Sequence, residues 1–151
     1  MNLQGTVQVK VPRDRVWEAL NDPKVLEQCT PGCKQMTLAE DGSYDILLEV
    51  GIASVKGRYT GKIRISDRIP GTQYKLAVTG KGAPGFLNAE GILRLEEQGE
   101  ETRIEYSGQA QVGGLIAGVG QRIMGAVAKQ LVGQFFQSFQ KIVVQSAKGG
   151  S

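Results

Sequence analysis

The chain of 151 residues contains no histidine. That zero removes the usual general base near neutral pH, the Ser-His and Cys-His nucleophile pairs and the commonest metal ligand. Cysteine is nearly absent too. Cys29 and Cys33 are too few for a disulfide framework, so a reducing cytoplasm is expected. No stretch approaches the roughly 18 uninterrupted apolar residues that read as a membrane-spanning helix. The start, Met1-Asn2-Leu3-Gln4-Gly5, lacks the basic-then-apolar pattern of a signal peptide. Aromatics make up 6% of residues and the sheet-forming region is close to neutral, which leaves nucleic-acid binding without support. The last absence is local. All 15 carboxylate side chains lie at or before Glu105, and beyond it stand only Arg122, Lys129, Lys141 and Lys148. A cationic last third suits an anionic membrane surface or an acidic partner, and equally the solvated face of a helix.

What is present is alternation. Val55, Gly57, Tyr59, Gly61, Ile63 and Ile65 fall on one face, Lys56, Arg58, Thr60, Lys62, Arg64 and Ser66 on the other. A strict period of two predicts a strand of an antiparallel sheet with one dry and one wet face. The dry face is poor in bulk. Gly80 and Gly82 follow Tyr74, Leu76 and Val78; Ala89 and Gly91 precede Leu93 and Leu95; Gly108 and Ala110 follow Ile104 and Tyr106. Interiors are filled to crystal-like density, so either another element or a guest occupies the space.

Turn residues set the order of elements. Leu3 to Val11 alternates as a strand, and Pro12 ends it and opens a helix through Val16, Trp17, Ala19 and Leu20. Asp22 before Pro23 caps a second short helix, to about Gln28. Asp41-Gly42 joins strands Lys34–Glu40 and Ser43–Gly51, and Pro70-Gly71, Pro84-Gly85 and Gln98-Gly99 separate the rest. The final strand runs to about Val112, and one long helix is expected from Gly113 or Gly114 to about Ala147. The expectation is therefore an α+β domain over 1–147, a curved antiparallel sheet of about seven strands around a long C-terminal helix, with a frayed tail over 148–151.

Leu115, Val119, Ile123, Val127, Leu131, Phe135, Phe139 and Val143 form an apolar row at spacing four. Seven such steps sweep roughly 280° around a helix, so the helix must bend or its halves must face different surroundings. Its first half is rich in glycine (Gly113, Gly114, Gly118, Gly120, Gly125), each costing about 1 kcal/mol against alanine in a helix interior. Either close packing on the sheet or a movable segment explains them.

Other motifs carry less. Gly80-Lys81-Gly82-Ala83-Pro84-Gly85 matches G-x-G-x-x-G, but no helix follows to meet a pyrophosphate. Cys29 and Cys33 lack the further ligands zinc needs and read as packed or turn-lining thiols. The outward stripe Lys56, Arg58, Lys62, Arg64 fits an acidic partner or lipid headgroups, or cross-strand pairing with neighbouring carboxylates.

Four stretches together resemble one family: Val16-Trp17, Leu20, Asp22, Leu26 and Cys29-Thr30-Pro31-Gly32-Cys33; Val55-Lys56-Gly57-Arg58-Tyr59-Thr60-Gly61-Lys62; Gly80-Lys81-Gly82 with Gly85-Phe86; and Ala110-Gln111-Val112-Gly113-Gly114 with Phe135-Phe136. The chain is similar to the CoxG family of carbon monoxide dehydrogenase accessory proteins, a branch of the START-like, helix-grip, lipid-binding superfamily related to polyketide cyclases. The resemblance implies a cavity between sheet and long helix holding a hydrophobic molecule, and a non-catalytic accessory role beside a molybdenum hydroxylase of the carbon monoxide dehydrogenase type. It implies recruitment of that enzyme to the membrane and handling of a quinone or lipid. The protein is expected in the cytoplasm or at the cytoplasmic face of the membrane, with no covalently bound cofactor and, for want of ligands, no metal site. Members often continue into a linker and hydrophobic anchor, and often have lysine after the Gly-Gly pair, where this chain has Leu115 and Ile116.

The ligand expected is apolar, a respiratory quinone such as menaquinone. Its expected lining is Tyr59, Phe86 and Leu87 from the sheet and Val112, Leu115, Ile116, Val119, Ile123 and Val127 from the helix and its approach. Gly57, Gly61, Gly80, Gly82, Gly91 and Gly108 would leave room, and the glycine-rich helix start would be the gate. Two rivals stand beside this reading. One is a small cyclase- or hydrolase-like enzyme using an inward Tyr59, Tyr106 or Glu49; the other is a ligand-free docking module using the Lys56–Arg64 stripe and the basic helix.

Overall fold

The computed structural model describes residues 1–149. Pro12 sets the extended approach to α1 (Arg13–Leu20), which buries Val16 and Leu20. In α2 (Pro23–Cys29) the Asp22 carboxylate accepts the Lys24 N–H at 3.0 Å, and Leu26 and Cys29 face inward. The strands are β1 (Asn2–Val9), β2 (Cys33–Leu38), β3 (Tyr44–Val50), β4 (Gly57–Ile69), β5 (Gln73–Gly82), β6 (Gly85–Gln98) and β7 (Glu101–Gly113). They form one antiparallel sheet in the order β1-β7-β6-β5-β4-β3-β2, so every neighbouring pair from β2 to β7 is joined by a short connection. At the β2–β3 turn, the Asp41 carboxylate accepts from Ser43 and from Arg64, which holds it well below the usual carboxylate range.

The C-terminal third differs from the single helix expected. Leu115–Val119 is a separate 3₁₀ segment, and α3 runs Gln121–Gly149. Gly114 (φ 80, ψ −155) and Gly120 (φ 91, ψ 155) bound the segment in a conformation open to glycine alone, so no helix can pass through either. Likewise Val55 closes a 3₁₀ turn, Ala53–Val55, and β4 begins only at Gly57. Of the tail expected to fray, Lys148 and Gly149 continue α3, while Gly150 and Ser151 lie outside the described residues.

The core is divided. A large cluster at one end joins Val9, Leu20, Tyr74, Leu95, Ile104, Phe139 and Val143. Two buried hydroxyls here are satisfied: that of Tyr74 donates to the Leu20 carbonyl at 3.1 Å and that of Thr102 to the Val11 carbonyl at 2.8 Å. A small cluster at the other end consists of Val55, Ile116 and Val127, backed by Val50, Ile52, Val112, Met124 and Leu131. The two halves of the apolar row therefore do face different surroundings: Phe139 and Val143 in one core, Val127 in the other, and Ile123 46% exposed.

Candidate functional site

Register places the low-bulk residues of the inner face side by side. Reading across the strands, one row is Ile46, Gly61, Gly80, Leu87, Val112; the next is Tyr44, Ile63, Val78, Ala89, Ala110; the third is Ile65, Leu76, Gly91, Gly108, Leu3. Above the second and third rows α3 presents Leu131, Val132, Phe135 and Phe136, and α2 presents Leu26. Between them lies an apolar cavity of about 320 Å³. Its floor is Leu76, Val78, Ala89 and Gly91, and Leu48, Ile63 and Leu93 form its sides. The cavity separates the two cores, and Leu131 touches both it and the small cluster.

Polar groups near it are few. Tyr106 lies across Gly5, its partner on β1, where any Cβ would strike the phenol ring, and it stacks on Phe136 at 5.6 Å. Thr30 is spent on the Leu26 carbonyl at 2.6 Å. Glu90, Ser107 and Gln109 edge the cavity from positions that alternate to the wet face. Burial pushes the Cys29 thiol up to about 11 and raises that of Cys33, so neither is a ready thiolate. No group of three or more metal-ligating side chains occurs among the described residues.

The predicted lining falls largely one layer away. Gly91 and Gly108 line the cavity. Tyr59 is buried towards the small cluster, its hydroxyl donating to the Val55 carbonyl. Leu87 and Val112 sit in the first row, and Val112, Ile116 and Val127 pack in the small core. Phe86 and Leu87 cannot both face in, because successive residues of a strand point to opposite faces. Phe86 is the outward one, 47% exposed and folded over Gly113. Leu115 is 80% exposed, Ile123 is on the surface and Val119 is half-buried at the end of the 3₁₀ segment.

The glycines also act differently from the expectation. A Cβ on Gly61 would strike the Thr79 carbonyl, on Gly82 that of Arg58 and on Gly108 that of Glu90; on Gly91 it would stand 2.8 Å from the Ser107 oxygen. These residues let the sheet coil tightly. A Cβ on Gly57 would stand 2.6 Å from the Pro84 ring, and only Gly80 of the six has open space, with the Thr60 oxygen 3.9 Å away. The floor thus comes from curvature and small side chains together. Leu131, Val132, Phe135 and Phe136 are absent from the lining expected from sequence, although two adjacent apolar pairs one helical turn apart signal them.

The wet face carries ion pairs. Arg58 and Glu49 meet at 2.9 Å, Lys34 reaches Glu49 at 3.7 Å, Lys62 meets Asp45 at 3.2 Å and Arg64 meets Asp41 at 2.7 Å. Most of the Lys56–Arg64 stripe is therefore engaged across strands, and Glu49 points away from the cavity.

The family model for CoxG, the G subunit of carbon monoxide dehydrogenase, matches residues 5–144. The chain belongs to the CoxG family. A conserved protein from Geobacillus kaustophilus of known structure is 41% identical, covers 97% of each chain and superposes with a TM-score of 0.94. A START superfamily protein from Mycobacterium smegmatis is 13% identical over 95% of this chain and 97% of its own, with a TM-score of 0.73. The protein Ara h 8.0201 is 13% identical over 96% and 98%, with a TM-score of 0.70. These two likenesses concern the fold, which is START-like. No curated protein matches the chain. Family membership assigns this CoxG chain an accessory association with carbon monoxide dehydrogenase. No helix among the described residues is long and apolar enough to cross a membrane.

Proposed function

We propose that the protein is a non-catalytic carrier that encloses an apolar molecule, a respiratory quinone such as menaquinone or a related lipid, and serves a molybdenum-containing carbon monoxide dehydrogenase at the cytoplasmic face of the membrane. One observation carries the reading: the apolar cavity of about 320 Å³ between sheet and α3. Its size sits at the lower end of small-molecule pockets, roughly 300–1,000 Å³, suited to a ring system with a short tail. A longer tail would leave past Leu131 and the small core. Binding would draw on apolar surface removed from water, about 25 cal/mol per Å² before entropic costs.

The arrangement of the groups considered for catalysis favours a carrier over an enzyme. Glu49 is paired on the wet face, Tyr59 is committed to a backbone carbonyl, and Tyr106 is stacked between Gly5 and Phe136. The test is native mass spectrometry of the protein purified from its own host, followed by solvent extraction. A stoichiometric apolar molecule is expected; a protein at its bare mass with an empty extract refutes the carrier.

A further inference from the structure

Three segments that close the small-core end of the barrel meet on one surface. They are residues 51–56 around the 3₁₀ turn Ala53–Val55, the β5–β6 turn at Ala83-Pro84, and residues 114–123. The Ile116 N–H donates to the Pro84 carbonyl at 2.8 Å, and Ala53, Lys56, Pro84 and Leu115 share one shallow concavity. This end exposes three large apolar side chains, Leu115 at 80%, Phe86 at 47% and Ile123 at 46%. Segments 51–58, 79–89 and 110–130 carry the cations Lys56, Arg58, Lys81, Arg122 and Lys129 and no carboxylate. Glu49, on the adjoining strand, is already held by Arg58 and Lys34. On the neighbouring part of the sheet, by contrast, Lys34, Arg58, Lys62 and Arg64 are each matched by a carboxylate.

An exposed apolar tip beside Lys56, Lys81 and Arg122, which form no ion pair among the described residues, fits an anionic lipid bilayer better than an acidic protein, because it offers apolar bulk to bury as well as charge. Its apolar residues enter the acyl boundary while its cations meet the headgroups. We propose that this end of the protein seats on anionic lipid, with Leu115 inserted and Phe86 and Ile123 at the interface. The 3₁₀ segment is built to allow it. Gly114 and Gly120, both in conformations open to glycine alone, bound it, and a Cβ added at Gly118 or Gly125 would meet nothing within 4 Å, so close packing on the sheet does not explain those last two glycines. Ile116, beside exposed Leu115, is buried in the small core against which Leu131 of the cavity wall packs.

This inference rests on the membrane part of the proposed function and deepens it by naming the contact. It is tested by sedimentation of the full chain with phosphatidylcholine vesicles with and without phosphatidylglycerol. Wild type should bind the anionic vesicles selectively and lose binding in high salt. Leu115→Ser should weaken binding about tenfold. Replacing Lys56, Lys81 and Arg122 together by glutamine should weaken it by about a hundredfold. Leu38→Ser, which removes a side chain 65% exposed on β2, should change it by less than about twofold. Circular dichroism melts establish that each variant is folded. No preference for anionic vesicles overturns the proposal, as does equal loss with Leu38→Ser. Loss in the charge variant with full binding by Leu115→Ser also overturns it, since that pattern describes a purely electrostatic contact such as an acidic protein would make. Ala89→Leu, which acts only on the cavity, should bind vesicles as wild type does, so failure of the carrier reading and failure of this one are distinguishable.

Discussion

Replacing Ala89 by leucine decides whether the space beneath α3 is a vacancy. Ala89 stands in the cavity floor between Val78 and Ala110 on neighbouring strands. Leucine adds three carbons directed at α3. If the interior were solid, those atoms would force neighbours off their rotamers and cost about 1–3 kcal/mol. Into an empty apolar space they go without displacement and remove apolar surface from water, at about 0.8 kcal/mol per methylene. Leucine also gives up side-chain freedom on ordering, so the net gain expected is about 2 kcal/mol at most. For a chain of this length that raises the melting temperature of ligand-free protein by roughly 4–8 °C. The sign reverses with ligand. A short-chain naphthoquinone at a hundred times its dissociation constant stabilises wild type by about 2.7 kcal/mol, and the variant should lose most of that increment. Thermal melts of both proteins with and without the quinone give all four values. A ligand-free variant less stable than wild type, or a quinone shift equal in both, refutes the reasoning.

Two further outcomes follow from particular atoms. Gly61 and Gly80 face each other across β4 and β5, yet alanine should act differently at the two: about 1–3 kcal/mol lost at Gly61, where the methyl strikes the Thr79 carbonyl, and a change within about 1 kcal/mol, of either sign, at Gly80. Urea midpoints of the two variants check this, and equal destabilisation would contradict the coiled-sheet account. Burial raises the Cys29 thiol from 9.0 to about 11, so the folded state favours the neutral form; its contribution is full below about pH 9 and is lost as pH rises towards 11. The stability difference between wild type and Cys29→Ala, measured by urea unfolding, should therefore shrink across that window, and a constant difference would show that the thiol is not linked to folding.

How much of this was written in the sequence depends on which physical quantity the residues encode. Period-two runs such as Tyr74-Leu76-Val78 and Leu93-Leu95 fix which side chains face inward, because alternation is a property of one strand. Asp22-Pro23 and Asp41-Gly42 fix a cap and a turn through local geometry. The cavity is a property of several strands at once. Gly61 and Gly108 read as missing bulk, but the atoms they spare belong to the next strand's backbone, and interstrand coiling leaves no periodic mark. The start of α3 is hidden for a related reason. Leu115, Val119 and Ile123 keep the spacing of four across Gly120, so hydrophobic period alone continues the helix through a residue whose φ of 91° forbids it. Glycine content is the available signal, and it marks the break without locating it.

The two cores are unequal in a way that would give the proposed carrier one direction for ligand exchange. The large cluster ties β1, β5, β6, β7, α1 and α3 together and buries Val9, Ile104 and Phe139 completely, so opening it amounts to unfolding the sheet. The small cluster has three buried side chains, each worth about 1.5–3 kcal/mol of burial at most, and one of them, Ile116, rides on a five-residue segment bounded by Gly114 and Gly120. Regions with few buried apolar contacts open at lower free energy than the whole molecule. Leu131 lies against both the cavity and this cluster, so displacing Ile116 loosens the packing that backs this part of the wall. The exposed Leu115 is its immediate neighbour along the chain. A surface that engages Leu115 therefore acts on the weaker cluster and leaves the stronger core in place, which is the mechanical arrangement that the proposed carrier needs.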